Sequence, residues 1–528
     1  MPVWVRTWSF RLWVAGATFV LCAVLLWLQD RLGAVPLHPT RWQTLVQWSE
    51  LIWLCPVPAA AAIWLGWVIF AAAARPAPRP VAAPRLRRTR SAAPLSVRLV
   101  FRIPTRGDNV AVLRDAVAAV HEAFARYSEA AGPYRIEIVS ERPVALGEGG
   151  NRTHIYAVPA DYTTRHRSRF KARALAYLQS RVQLEARDWC VYLDEESLVD
   201  TAFLAGVYRY VQRHSPGGTR REQQRPCPIG QGAILYQGGN WFFRGADALR
   251  TADDLGRFRL QYALGVPLFG IHGSYIVVRG VDDAGLSFDV GARNSLTEDA
   301  AWSLRAWARG RRFAWVDGYL YEQPPQTATD FVRQRARWLA GIRRVLRDGS
   351  VPLRYRLCLG LYSLLWQLSF LPFLIAIAAV VAHVAPFGWM RLAADFAWAS
   401  YVLAYVIGAD RAAARRRDTA GHSPLDAPSY VPRWLRPVWR PALRATAWVL
   451  ALAYLWYALL EAAGVFWSLM VGHDFFVIRK PSLTHASETG PVKLERAEKA
   501  KALDKVAPVS DSRKDVARAL EPAGTARR

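Results

Sequence analysis

Trp189-Cys-Val-Tyr-Leu-Asp-Glu-Glu-Ser197 reads as a strand that stops on three carboxylates. Trp189–Leu193 is apolar and aromatic throughout, and Ser197–Gln212 then shows helical periodicity. Upstream the same alternation recurs. Val97–Ile103, Arg135–Ser140 and His154–Val158 are strand-like; Asp108–Ala130 and Arg165–Gln183 are helix-like. Strands alternating with helices predict an α/β fold, a mostly parallel sheet with helices on both faces. Ligands in such sheets bind beyond the carboxyl ends of the strands. Pro104-Thr105-Arg106, Glu141 and Asp194-Glu195-Glu196 fall there.

Around this domain the composition changes. Of 528 residues 52% are hydrophobic and 23 are Trp, yet the formal charge is +27. Apolarity and basicity together point to apolar spans with basic loops held at one membrane face, against membrane lipids. No helix-turn-helix, zinc or RNA-recognition signature accompanies the charge, so no nucleic-acid partner is expected. The five Cys residues lack metal-ligand spacing and read as free, packed thiols. Phe10–Leu28 and Leu51–Ala74 are each long enough to span a bilayer, with Trp residues near their ends. Apolar segments resume at Leu357–Ala382, Leu392–Gly408 and Ala445–Val471.

The expected organisation is therefore as follows. Residues 1–74 hold two transmembrane helices, and 75–94 form a basic Pro/Arg-rich linker. Residues 95–351 form a cytosolic catalytic domain, 352–480 transmembrane and interfacial helices, and 481–528 a disordered polar tail. Glu461 sits oddly within the last apolar stretch.

Asp194 and Glu196, at i and i+2 on extended chain, point to one side and suit Mg²⁺ or Mn²⁺ bridging a diphosphate. The plainer alternative is an acidic turn favouring the next helix N-terminus. In Thr297-Glu298-Asp299, Asp299 suits a general base acting on a hydroxyl. The alternative there is a helix start capped by Ser295 or Thr297. Gln334-Arg-Ala-Arg-Trp338 places Gln334, Arg337 and Trp338 together on a helix, a cation for phosphate and a ring for a sugar. The alternative is an amphipathic helix with Arg335, Arg337, Arg343 and Arg344 facing lipid phosphates. Lys171 and Arg173 suit nucleotide phosphates or a solvated basic face. His272-Gly273-Ser274 forms a Gly turn open to a ligand, or an ordinary turn.

In this order, Glu141, Lys171, Asp194-Glu195-Glu196, Thr297-Glu298-Asp299 and Gln334-x-x-Arg337-Trp338, the chain resembles a family 2 glycosyltransferase with a GT-A-type nucleotide-sugar domain. Phe101-Arg-Ile-Pro-Thr-Arg-Gly107, Tyr192-Leu-Asp-Glu-Glu-Ser197 and Ala252-Asp-Asp-Leu-Gly-Arg257 are most similar to the Egghead-like β-1,4-mannosyltransferases. So are Gly273-Ser-Tyr275, Ser287-Phe-Asp289 and Asp330–Gly341. The resemblance implies inverting transfer by a single displacement with a divalent metal, from GDP-mannose to a lipid-linked or membrane-proximal glycan. It implies Asp299 as base, and Asp194 and Glu196 for metal and diphosphate. It implies Thr105, Glu141, Lys171, Arg173 and Glu195 for the nucleotide. His272, Gly273, Ser274, Glu298, Gln334, Arg337 and Trp338 would serve acceptor and diphosphate.

Two features depart from the wider pattern. Glu196 stands where the superfamily has Asp, and Phe475-Phe-Val-Ile-Arg-Lys480 resembles a cellulose-synthase gating loop with Ile478 in place of Thr. The rival readings are a processive polysaccharide synthase and, from another class, a non-catalytic membrane transporter or scaffold.

Overall fold

Phe101 and Arg102 are neighbours on one strand and face opposite layers. Phe101 meets Phe124 edge-on at 5.8 Å, whereas Arg102 Nη1 donates to Asp283 at 2.8 Å. That alternation is the pleat of a strand covered on both sides. The computed structural model describes residues 3–32, 40–71, 97–127, 132–146, 151–215, 227–368, 371–384, 387–414, 438, 442, 445, 449 and 453–470. The expected linker 75–94, the 481–528 tail and the Phe475–Lys480 motif lie outside the described residues.

Among the described residues seven strands form one sheet: β1 (Arg98–Thr105), β2 (Tyr134–Ser140), β3 (Thr153–Ala157), β4 (Asp188–Tyr192), β5 (Ile229–Tyr236), β6 (Ile276–Arg279) and β7 (Phe313–Glu322). Their order is β3-β2-β1-β4-β6-β5-β7. All neighbours pair in parallel except around β6, which is antiparallel to both β4 and β5. The mostly parallel sheet is thus present. The reversal has a consequence for chemistry: the start of β6 lies at the same edge as the ends of the other strands.

The helices are α1 (Val3–Leu32), α2 (Arg41–Ser49), α3 (Val57–Phe70), α4 (Val110–Tyr127), α5 (Phe170–Arg181), α6 (Thr201–His214), α7 (Trp241–Asp253), α8 (Arg259–Leu264), α9 (Gly280–Asp283), α10 (Glu298–Ala308), α11 (Ala328–Leu346), α12 (Leu353–Leu368), α13 (Leu371–Ala382), α14 (Gly388–Ala414) and α15 (Tyr454–Met470). Three stretches are long and apolar enough to cross a membrane among the described residues: Val5–Arg31, Arg41–Phe70 and Gly388–Ala412. The second is not one regular helix; a 3₁₀ turn, Glu50–Leu54, separates α2 from α3. The apolar run expected as one span at Leu357–Ala382 is helical on both sides of the undescribed residues 369–370, as α12 and α13.

Backbone contacts fasten the apolar helices to the sheet domain. A Cβ on Gly66 of α3 would lie 2.1 Å from the Gly256 carbonyl oxygen, and one on Gly408 of α14 would lie 1.8 Å from that of Ala248. Only glycine permits such approach. Trp67 Nε1 adds a hydrogen bond to the Ala252 carbonyl at 2.9 Å. A side chain locks the other end. Arg335 of α11 is 2% exposed; its Nη2 donates to Asp247 of α7 at 2.6 Å and its Nε to Glu461 of α15 at 2.7 Å. Arg335 therefore does not face lipid phosphates, as an amphipathic α11 would require. Nor does Arg343, whose Nη1 donates to Gln367 and Ser468, both at 3.0 Å. Glu461 is a carboxylate in an apolar helix because it has a cation to meet.

Two outcomes test this docking. Gly66→Val forces α3 off the Gly256 carbonyl and should lower the melting temperature of the detergent-solubilised protein, by a cost of about 1–3 kcal/mol. Gly16→Val, with nothing within 4 Å of the added Cβ, should leave it near wild type. Arg335→Leu strands two carboxylates and should cost about 3–5 kcal/mol in the same measurement.

Candidate functional site

The ends of β1, β2, β4, β5 and β7 and the start of β6 converge on one cavity of about 1060 Å³. From β1 comes Thr105, whose Oγ1 donates to Glu195 at 2.5 Å and accepts from Gly107 N at 2.9 Å. Gly107 needs its positive φ of 86° to turn there. After β2 comes Glu141, paired with Arg173 Nη1. Arg173 is fixed by the Tyr162 and Pro159 carbonyls at 3.0 and 2.7 Å. Glu141 Oε1 is buried without a hydrogen-bond partner. Burial pushes the Glu141 carboxyl up, and Arg173 opposes that rise.

Beyond β4, Asp194 accepts from the Lys171 ammonium. Lys171 Nζ also donates to the Gly273 carbonyl at 2.8 Å and lies 3.5 Å from Glu298 Oε1. A Cβ on Gly273 would stand 3.0 Å from Lys171 Nζ and 3.2 Å from Asp299 Oδ2. One ammonium thus joins the β4 acid, the β6 turn and the start of α10. The Asp194 cluster does not open α6: that helix starts at Thr201 and is capped by Asp200, which accepts from Phe203 N at 2.7 Å. Thr297 makes no side-chain cap to α10, and Ser295 Oγ instead donates to the Gly291 carbonyl at 2.8 Å. Asp299 Oδ1 accepts from Ala300 N at 2.8 Å. The Asp299 carboxyl is raised to about 7, first by lost hydration and then by the Glu298 charge, with Lys171 opposing.

His272 is held on three sides. Its N–H donates to Gln231 Oε1 at 3.0 Å, Nε2 meets Asp254 Oδ1 at 2.5 Å, and the ring stacks on Phe258 at 4.5 Å. Ser274 Oγ donates to Glu322 at the end of β7, and Ser197 Oγ donates to the same oxygen at 3.2 Å. Gln334, Arg337 and Trp338 reach the cavity from α11. Arg250 and Arg335 both lie 4.6 Å from the Trp338 ring centroid, so cations already occupy the ring that a sugar was expected to use. Every residue expected to serve catalysis, metal, nucleotide or acceptor lines this one cavity; Ser295, Arg343 and Arg344 do not.

Sequence reasoning missed Arg250, Arg257, Asp254, Gln231 and Glu322, and offered Arg335 only as a lipid-facing cation. Arg257 and Asp254 lay within the Ala252–Arg257 string and Arg335 within Asp330–Gly341. The cavity also extends past the sheet edge, between α12 and α14, where Tyr362, Trp366, Trp398, Tyr401 and Tyr405 line it.

No group of three or more His, Cys, Asp or Glu is disposed to hold a metal ion among the described residues. Asp194 and Glu196 are nonetheless hard oxygen donors on the cavity wall. Mg²⁺ is commonly held by one or two carboxylates plus substrate phosphates, so this set fits a cation shared with a diphosphate.

Residues 189–409 match the family described as Glycosyl transferase family group 2. The chain is 36% identical over 241 residues to the β-1,4-mannosyltransferase egh of Drosophila melanogaster, covering 44% of this chain and 50% of that one. It is 32% identical over 284 residues to the β-1,4-mannosyltransferase bre-3 of Caenorhabditis briggsae, covering 52% and 59%. The chain thus spans about half the length of the curated relatives it matches. A solved structure of S. aureus TarS 1–349 aligns with 68% of this chain and 92% of its own, at 9% identity and a TM-score of 0.30. The stretch that carries Asp194, Asp299 and Trp338 is thus similar to glycosyl transferase family group 2, and β-1,4-mannosyltransferases are among the proteins this chain resembles.

Proposed function

We propose that this protein is a multi-pass membrane glycosyltransferase with a cytosolic catalytic domain. It would move mannose from GDP-mannose, with inversion, to a lipid-linked or membrane-proximal glycan acceptor. The observation that carries this is the continuity of one cavity, from the Glu141–Asp194 edge, past Asp299, to an aromatic wall on α12 and α14. A donor in the polar half and an acceptor entering from the bilayer side would meet at Asp299. Holding the acceptor in the membrane raises its effective concentration there.

In this mechanism Asp299 Oδ2, the oxygen nearer Gly273, takes the proton of the acceptor hydroxyl, while Oδ1 stays tied to Ala300 N. The hydroxyl oxygen bonds the anomeric carbon as the bond from that carbon to the diphosphate breaks. The nucleoside diphosphate leaves with the electron pair. Lys171, Arg250 and Arg337 offer it positive charge. A divalent cation held by Asp194 and Glu196 would supply further charge neutralisation at the diphosphate. Glu141, with Oε1 unsatisfied, suits an N–H donor of the nucleotide. A polymer synthase that also exported its product would need a polar path through the apolar helices, and Gln367 and Glu461 there are engaged by Arg343 and Arg335. That favours single transfer over polymerisation.

A donor screen in nanodiscs tests the assignment. GDP release from GDP-mannose that requires Mg²⁺ or Mn²⁺ is expected; turnover with UDP-sugars alone would remove the mannosyl reading. Asp299→Asn should lower kcat by about 10²–10⁴-fold with GDP binding intact. A base must be deprotonated, so wild-type kcat/KM should fall as pH drops through about 7. Glu298→Gln removes a charge that raises Asp299, so its acid limb should move to lower pH. An unmoved limb would show that another group titrates.

A further inference from the structure

Two loops beside the cavity are fastened to each other. Residues 164–170 pass two left-handed positions, Arg167 at a φ of 56° and Phe170 at 55°. Neither is glycine, so both are strained and persist only where neighbouring groups impose them. Residues 289–295 impose them. Asp289 Oδ2 accepts from the His166 N–H at 2.9 Å and Oδ1 from Ser168 Oγ at 2.7 Å. Ser168 Oγ accepts from the Gly291 N–H at 2.7 Å, and Ser295 Oγ from the Arg169 N–H at 2.9 Å. The His166 carbonyl accepts from Ala292 N at 3.3 Å.

Each loop leads into the site. Lys171, which joins Asp194, Gly273 and Glu298, directly follows the strained Phe170. The second loop is bound to α10, because Arg305 Nη1 donates to the Asp289 carbonyl at 3.2 Å and Nη2 to that of Val290 at 3.1 Å. Asp299 stands in the first turn of α10. Arg169 and Phe170 line the cavity, whereas Ser168, Asp289 and Ser295 do not. Burial pushes the Asp289 carboxyl up, but hydrogen bonds from Thr164, Ser168 and the His166 N–H outweigh that and hold it below the usual carboxylate range. The Asp289 carboxylate therefore stays charged at neutral pH. The charged or titratable groups facing Asp299 are Glu298 beside it, Lys171 from α5 and His272 from the turn before β6. Of these, Lys171 is the one that hangs from the strained loop.

We propose that Asp289, which lies outside the cavity, is a positioning residue: by clamping residues 164–170 to the segment that enters α10, it sets the Lys171 ammonium against the Asp299 carboxylate. This rests on the transferase reading given above and deepens it by naming what fixes the strength of the base.

The test uses the full chain in nanodiscs and needs no acceptor. A water-soluble carbodiimide with an amine consumes protonated carboxyls, so labelling of Asp299, read by peptide mass spectrometry against pH, reports its titration. Half-maximal labelling is expected near pH 7 in wild type. Asp289→Asn replaces one accepting oxygen with a donor and should loosen Lys171. Lys171 lowers the Asp299 carboxyl, so the half-point should rise, by about one pH unit. Ser168→Ala, a milder cut in the same clamp, should shift it the same way. Asp200→Asn, which loosens a helix cap outside the cavity, should lower the melting temperature without moving the half-point. In a Lys171→Met background, already shifted upward, Asp289→Asn should add nothing, because it acts through that ammonium. An unmoved half-point in folded Asp289→Asn and Ser168→Ala overturns the proposal, and so does an equal shift in both Lys171 backgrounds. The transferase reading is judged separately: loss of sugar-nucleotide binding by wild type sinks it, whatever the labelling shows.

Discussion

A guanidinium buried between two carboxylates from different layers of the molecule constrains everything else. Arg335 sits on α11, Asp247 on α7 beneath the sheet edge, and Glu461 on an apolar helix. Removing Arg335 or Asp247 leaves a buried charge without its partner. The three helices must therefore keep their mutual positions. Since α11 also presents Gln334, Arg337 and Trp338, the ion triad fixes one wall of the cavity relative to apolar α15. The Gly66–Gly256 and Gly408–Ala248 contacts do the same for the opposite wall by steric fit.

Within the cavity, charge is organised by alternation. Lys171 stands between Asp194 and the Glu298-Asp299 pair, so the acids approach each other without meeting. Glu298 raises Asp299 and Lys171 holds that rise in check. The outcome is a carboxyl poised near neutrality, the range in which a general base is most effective. Farther along, the wall changes from carboxylates and cations to Tyr and Trp, in keeping with a polar donor at one end and an amphipathic acceptor at the other.

Some features were legible because their physics is local. The strand Asp188–Tyr192 and helix Thr201–His214 follow from side-chain periodicity, and the acids that end β4 follow from the rule that parallel strands carry ligands at their carboxyl ends. Span-length apolar runs are equally local. The antiparallel β6 also escaped, since four residues cannot announce their direction.

The residues alone offered Asp194, Glu196, Asp299, Arg337 and Trp338 as candidates beside plainer structural readings, and the resemblance is what joined them into one site. Only the tertiary structure decided their company. Arg335 and Arg337 lie two positions apart in one basic helix, and nothing in their spacing says that the first is buried against Glu461 across 126 positions of chain. Arg257 looks like any surface arginine until a π turn and an aromatic box enclose it. Periodicity records which face a side chain takes on its own element. Which charge lies opposite is set by how distant elements pack, and burial then makes that pairing obligatory.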